Sequence, residues 1–66
     1  MEFSKEELAE AKRQIASTLH KLRETVKTLR GKENPERYKS QITLAERRIK
    51  AFEIAAILID EEWKRP

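Results

Sequence analysis

The chain of 66 residues lacks cysteine and contains one histidine, one glycine and two prolines. Without cysteine, neither a disulfide nor a cysteine-ligated metal can cross-link the fold, and a single histidine rules out an ordinary zinc site. We assign residues 1–66 to one domain, which has only a marginally stabilising core because small domains need extra support below about 70–80 residues. Association with another chain is the remaining way to stabilise it.

Long apolar segments are also missing. The N-terminal stretch MEFSKEELAE is acidic and lacks the basic and then apolar pattern of a signal peptide. The most apolar segment, residues 51–59, has eight apolar residues, but it is far shorter than the about 20 residues that cross a bilayer. Together with the lack of cysteine, these features predict a soluble, cytoplasmic protein.

Because glycine and proline are scarce, the sequence has room for one connection and predicts two long helices. Ser4 can cap the first helix, and Glu7 completes a capping box with it. Apolar residues then recur in steps of three and four, as in a coiled-coil helix. This first stripe of helix 1 consists of Leu8, Ala11, Ile15, Leu19, Leu22, Val26 and Leu29. The helix is expected to end near Arg30, with Gly31 in the left-handed conformation that commonly follows a helix.

Asn34 and Pro35 predict the start of helix 2, as N-cap and first helical residue, and Ser40 offers a later start. The first stripe of helix 2 consists of Tyr38, Ile42, Ala45, Ile49, Phe52, Ala56, Ile59 and Trp63. Two long helices joined by a short connection lie side by side. The predicted fold is therefore all-α, an antiparallel two-helix hairpin with helix 1 at about 4–30 and helix 2 at about 35–63.

Helix 2 carries a second apolar stripe, about 130° around the helix from the first at 100° per residue. This second stripe consists of Leu44, Ala51, Ile54, Ala55 and Leu58. Helix 1 cannot cover both stripes, and a helix that is apolar nearly all round is normally buried. We therefore expect two hairpins to pack through helix 2 as a homodimeric four-helix bundle. A different helical protein is an alternative partner that could bury the second stripe. A membrane surface is disfavoured by the acidic residues that follow at 60–62.

Charge is distributed unevenly along the predicted hairpin. Its open end, residues 1–10 and 53–66, carries eight acidic and three basic residues, whereas residues 21–50 carry ten basic and four acidic ones. Two hairpins lying head to tail place acidic open ends beside basic turn ends. The prediction is thus an antiparallel homodimer. The charged residues expected to border its interface are Arg47 and Arg48, reaching the partner's Glu61 or Glu62.

Residues suited to catalysis are few. His20 projects away from the first stripe of helix 1, as a surface side chain does. The glutamates of the open end lack the Glu-x-x-His spacing of metal sites in helical bundles, and there is no recognisable phosphate-binding loop or activated nucleophile. We assign no catalytic, cofactor-binding or metal-ligating residue and expect no cofactor. The chain is predicted not to be an enzyme.

The basic turn end suggests a rival function, because Lys and Arg side chains contact nucleic-acid phosphates. The candidate contacts are Lys27, Arg30, Lys32, Arg37, Arg47 and Arg48. Glutamates are interspersed among them, and Tyr38 and Trp63 belong to the first stripe rather than to a stacking surface. The sequence therefore favours a small interaction or scaffold protein, with nucleic-acid binding as the alternative.

Overall fold

The computed structural model describes residues 2–66 and confirms an all-α hairpin. Helix α1 spans Lys5–Arg30, a short 3-10 helix spans Pro35–Tyr38, and helix α2 spans Lys39–Trp63. The helices pack along their length into a rod whose Cα atoms extend over 50 × 15 × 15 Å. No strand occurs between residues 2 and 66.

The start of α1 is held by the capping box predicted from the sequence. The Ser4 backbone is extended, and its Oγ accepts a hydrogen bond of 3.1 Å from the Glu7 backbone N–H. In return, the Ser4 N–H donates to Glu7 Oε1 at 3.0 Å. The first N–H groups of a helix have no partner within it, so this exchange satisfies two groups that otherwise depend on water.

The turn differs from the expectation at Gly31. This glycine is right-handed, with φ −83°, and its N–H donates to the carbonyl oxygens of Lys27 and Thr28. The left-handed residue is Asn34, with φ 54°. The left-handed residue therefore lies three residues later than predicted. Asparagine adopts the left-handed conformation more readily than most residues other than glycine. Pro35 contributes as well, because a residue before proline avoids the right-handed helical region.

The start of helix 2 also differs from the prediction. Asn34 makes no side-chain capping hydrogen bond, and Pro35–Tyr38 forms a 3-10 turn in which the Arg37 N–H donates to the Asn34 carbonyl at 3.0 Å. The α-helix begins at Lys39, between the two predicted starts. A 3-10 turn is tighter than an α-helical turn. This turn directs the chain back along α1. Its last residue, Tyr38, is half-buried, whereas Arg37 and Lys39 are exposed.

The first stripes form the core of the hairpin. Every residue of both first stripes is buried or half-buried. The buried hydrophobic residues are Leu8, Leu19, Leu29 and Ala45. Within residues 2–66 no large side chain is completely shielded from solvent. The core is therefore a single layer between two helices, and each of its contacts carries a large share of the stability.

We expect Leu19→Ala to destabilise the hairpin by about 2–5 kcal/mol, because the side chain is only 7% exposed near the middle of α1 and its loss leaves a cavity. The control is Ser17→Ala, at an exposed position two residues away. Thermal unfolding of both variants at one protein concentration checks the prediction. Equal melting temperatures for the two would show that Leu19 is not part of the core.

Candidate protein interface

The second stripe of α2 remains largely accessible after the hairpin has formed. Leu44 is 51% exposed, Ile54 48% and Leu58 59%. Ala51 is exposed as well, whereas Ala55 is half-buried. Single exposed apolar side chains are common, but Ala51, Ile54, Ala55 and Leu58 follow one another along one side of α2, with Leu44 on the same side seven residues before Ala51. The structure thus brings the five predicted interface residues together on the part of α2 that α1 leaves uncovered.

Ile57 lies on a different side of α2 from its neighbour Leu58. Both are 59% exposed. Ile57 lines a cleft with Lys12 and Asp60, where the two helices are bridged by an ion pair. Leu58 is one residue further, or about 100° around the helix, and belongs to the second stripe. Two equally exposed apolar residues therefore face different surroundings.

Three ion pairs join the helices. Lys12 Nζ lies 2.8 Å from Asp60 Oδ1, Arg23 Nη2 lies 2.9 Å from Glu53 Oε2, and Arg30 Nη2 lies 2.7 Å from Glu46 Oε2. From the first pair to the third, the basic residue lies later in α1 and the acidic residue lies earlier in α2, as antiparallel helices require. All six side chains are partly exposed, so each pair contributes about 0–1 kcal/mol.

These three ion pairs are not among the contacts predicted above, although the sequence contains a signal for them. Glu46, Glu53 and Asp60 recur every seven residues, and each directly follows a residue of the first stripe. In a coiled-coil helix that position flanks the core, where interhelical ion pairs form. Glu53, the one charged residue in the apolar run 51–59, is therefore explained by its partner Arg23.

Asp60 is the carboxylate most affected by its surroundings. The hydrogen bond from Lys12 lowers the pKa of Asp60 below its ordinary 3.8, and a second one from Lys64, whose Nζ lies 3.1 Å from Oδ2, acts in the same direction. Both ammonium groups favour the ionised form of the carboxyl. The aspartate therefore stays charged under all but strongly acidic conditions.

The charged residues expected at the interface border the second stripe. Arg47 and Arg48 are exposed, and within residues 2–66 neither has a carboxylate within 4 Å. Glu61 is likewise without a cation at that distance in the described chain, while Glu62 lies 3.4 Å from Arg65. Their pairing with a second copy stays a prediction.

The six candidate nucleic-acid contacts are in unequal situations. Arg30 is paired with Glu46, and Lys32 Nζ lies 5.7 Å from the centre of the Tyr38 ring. The remaining four are exposed and have no carboxylate within 4 Å in the described part of the chain. These four are Lys27, Arg37, Arg47 and Arg48. The turn end is thus basic, as the sequence predicts, and what it contacts stays a prediction.

The structure also places the residues that the sequence offers for catalysis and metal binding. His20 is exposed. Across residues 2–66 there is no group of three or more histidines or carboxylates placed to hold a metal ion. Neither α1 nor α2 combines the length and the apolarity that a bilayer crossing requires.

Replacing Lys12 by methionine is expected to raise the pKa of Asp60 toward 3.8, because the largest of the interactions that lower it is lost. A folded-state pKa below the unfolded value adds stability at high pH, and this contribution disappears as the pH falls through the folded pKa. NMR titration of the Asp60 carboxyl checks the shift, with Arg13→Met, whose partner is Glu10, as the control. An unchanged Asp60 titration in Lys12→Met would refute the assignment.

Comparisons of the chain with protein-family models, with curated proteins and with solved structures find no match. The surface of the hairpin is therefore the feature that bears on its function. That surface offers an accessible apolar stripe bordered by charges, next to a face that is crossed by ion pairs.

Proposed function

We propose that the protein is a small, non-enzymatic helical interaction module that self-associates through the second stripe of α2 into a homodimeric four-helix bundle. The observation that carries this proposal is the row of large apolar side chains at Leu44, Ile54 and Leu58, each about half exposed on a folded hairpin. A bundle partner covers such a row with helices of its own. The assembled bundle then presents four helices for further scaffolding, and we place this role in the cytoplasm.

The thin core supports association as the source of stability. Two helices bury one stripe each, and a chain of 66 residues has no disulfide to compensate. Full burial of a leucine contributes about 1.5–3 kcal/mol, so covering the exposed 59% of Leu58 adds roughly 1–2 kcal/mol per chain. Summed over the second stripe and both chains, such gains are comparable with the whole stability of a small domain. Folding and dimerisation are thus expected to be strongly linked.

Charge supports a homodimer over a foreign partner and a head-to-tail arrangement over a parallel one. The hairpin is acidic at its open end and basic toward its turn. A second copy lying head to tail brings opposite charges together at both ends, whereas a parallel copy opposes like charges. In the head-to-tail dimer the cations of the turn end lie beside carboxylates, which weakens their attraction for nucleic acid. For this reason we do not propose nucleic-acid binding as the function.

The proposal is tested by Leu58→Glu, with Ile57→Glu as its matched control. Both side chains are 59% exposed, and both new carboxylates have a glutamate four residues away, at Glu62 and Glu61. Leu58→Glu is expected to raise the dimer dissociation constant at least about 100-fold, since two leucines per dimer lose their cover. Ile57→Glu is expected to change it little. Sedimentation equilibrium measures both constants.

Two results would overturn the proposal. A wild-type protein that stays monomeric at tens of micromolar would exclude self-association and favour a different helical partner. Equal effects of the two substitutions would show that the interface does not follow the second stripe. Circular dichroism of each variant at high concentration separates dissociation from a failure to form helices.

Reversed charges test the orientation. Arg47→Glu with Arg48→Glu is expected to weaken the dimer roughly tenfold, because several pairs of about 0–1 kcal/mol each are lost in a symmetric complex. Adding Glu61→Lys and Glu62→Lys to the same chain is expected to recover most of the affinity, and raised salt should shrink both effects. Measuring the dissociation constants of the wild type, of these two variants and of a chain with Glu61→Lys and Glu62→Lys alone completes a double-mutant cycle. A four-substitution variant as weak as the first would contradict the head-to-tail arrangement.

A further inference from the structure

The interhelical ion pairs all lie on one side of the hairpin. On α2 the carboxylates directly follow residues of the first stripe, and on α1 Arg23 and Arg30 directly follow Leu22 and Leu29. In heptad geometry, residues that follow the core on two antiparallel helices flank it on the same side. We call this side the ion-paired face. Its charged side chains, held across the two helices, keep it polar.

The opposite side is different in character, and we call it the apolar face. On α2 it is formed by Leu44, Ala51 and Leu58, each of which directly precedes a residue of the first stripe. On α1, Thr18 and Thr25 directly precede Leu19 and Val26 of the first stripe, and Ala11, itself a residue of that stripe, lies seven residues before Thr18. These three are small and uncharged, whereas Gln14 and Lys21 also precede first-stripe residues on this side. Within residues 2–66 no interhelical ion pair crosses this face.

Thr25 can be covered at little cost. Its hydroxyl donates a hydrogen bond of 2.9 Å to the carbonyl oxygen of Lys21 in its own helix. A buried hydroxyl is costly only when it lacks a partner. Ala11 and Thr18 are already half-buried between the helices. The α1 half of the apolar face is therefore prepared for contact with another helix as well.

The area that a stable dimer buries indicates that both the α1 half and the α2 half of the apolar face take part in the contact. Measured between Cα atoms, one long side of the rod is a rectangle of 50 Å by 15 Å, about 750 Å², which is similar to the about 800 Å² of accessible surface that each partner buries in a standard interface. The second stripe occupies only the α2 half of that side. A dimer formed through α2 alone would fall well below the standard size, so the α1 half is needed too.

Symmetry then determines which helices meet. In a head-to-tail dimer the two-fold axis lies in the plane between the hairpins and perpendicular to the helices, so α1 faces the second α1 and α2 faces the second α2. A parallel dimer would instead place α1 against the second α2. Because Lys12 pairs with Asp60 and Arg23 with Glu53, Thr18 lies level with the α2 segment 53–60.

We propose that α1 packs against α1 of a second copy, with the two-fold axis passing at Thr18 in α1 and near Ala55 in α2. This inference rests on the proposed self-association and adds the second half of the interface and its register. Small residues at both positions let the helices approach closely. Arg48 and Glu62 lie seven residues on either side of Ala55. The same axis therefore places Arg48 opposite the partner's Glu62, the pairing that charge alone suggests.

The chain contains no cysteine, so a single introduced cysteine reports on this geometry without interference. Thr18→Cys is expected to cross-link with itself, by oxidation or with a short bis-maleimide, and to double the 7.8 kDa mass under denaturing conditions. His20→Cys, at an exposed position two residues away, is the control that stays monomeric. Ala11→Cys and Thr25→Cys, seven residues on either side of the axis, should cross-link when mixed and not separately.

The outcomes separate this inference from the proposed function. A wild-type dimer that is dissociated by Leu58→Glu, but whose Thr18→Cys variant and mixed pair both stay monomeric under denaturing conditions, overturns the α1 contact and leaves self-association intact. Cross-linking of Ala11→Cys with itself overturns the register. A monomeric wild-type protein overturns both. If Thr18→Cys fails to fold, the mixed Ala11→Cys and Thr25→Cys pair still decides the matter.

Discussion

The structure depends on one constraint, which is that a helix can shield only one side of its neighbour. In a hairpin of two helices each first stripe is covered by the other, and every other side faces solvent. Buried side chains such as Leu19 therefore lie in a single line along the contact. In a chain with one apolar stripe on each helix, this arrangement would cover every apolar stripe. This chain has three stripes, and the third, on α2, can be covered only from outside the hairpin.

The ion pairs matter more for where they lie than for what they contribute in free energy. Each is partly exposed and weak, yet together they occupy one of the two sides that flank the core. Ile57 and Leu58 show the consequence, because they are equally exposed and differ only in the side to which they belong. A docking helix that covers Ile57 has to approach the ion-paired groups, whereas one that covers Leu58 meets Ile54 and Ala55 and, one turn further on, Glu62. The weak pairs thereby restrict where a second helix can bind.

Much of the fold could be predicted because its signals are local. The capping box at Ser4 needs only four residues, and the first stripes need only the helical period. The turn was predicted less well, since both Gly31 and Asn34 can adopt the left-handed conformation and the path of the whole chain decides between them. The ion pair of Arg23 with Glu53 can be predicted only when both helices are considered together, because residues that follow the core meet across it only in an antiparallel pair. The second stripe also follows from the helical period, whereas the α1 residues on the same side can be recognised only once the ion pairs mark the opposite side.

The two unusual features of the sequence are a surplus apolar stripe and a separation of charge along the hairpin, and the proposed head-to-tail dimer would explain both. A parallel dimer would cover the stripe but would set acidic ends against each other. A foreign helix could cover it as well, but the placement of Arg48 and Glu62 at equal distances from Ala55 would then have no role. A two-fold axis requires such symmetry within one chain, because the same residues must serve as both halves of the contact. The spacing of these charges about a small residue is therefore the feature of the sequence that argues most specifically for a second copy as the partner.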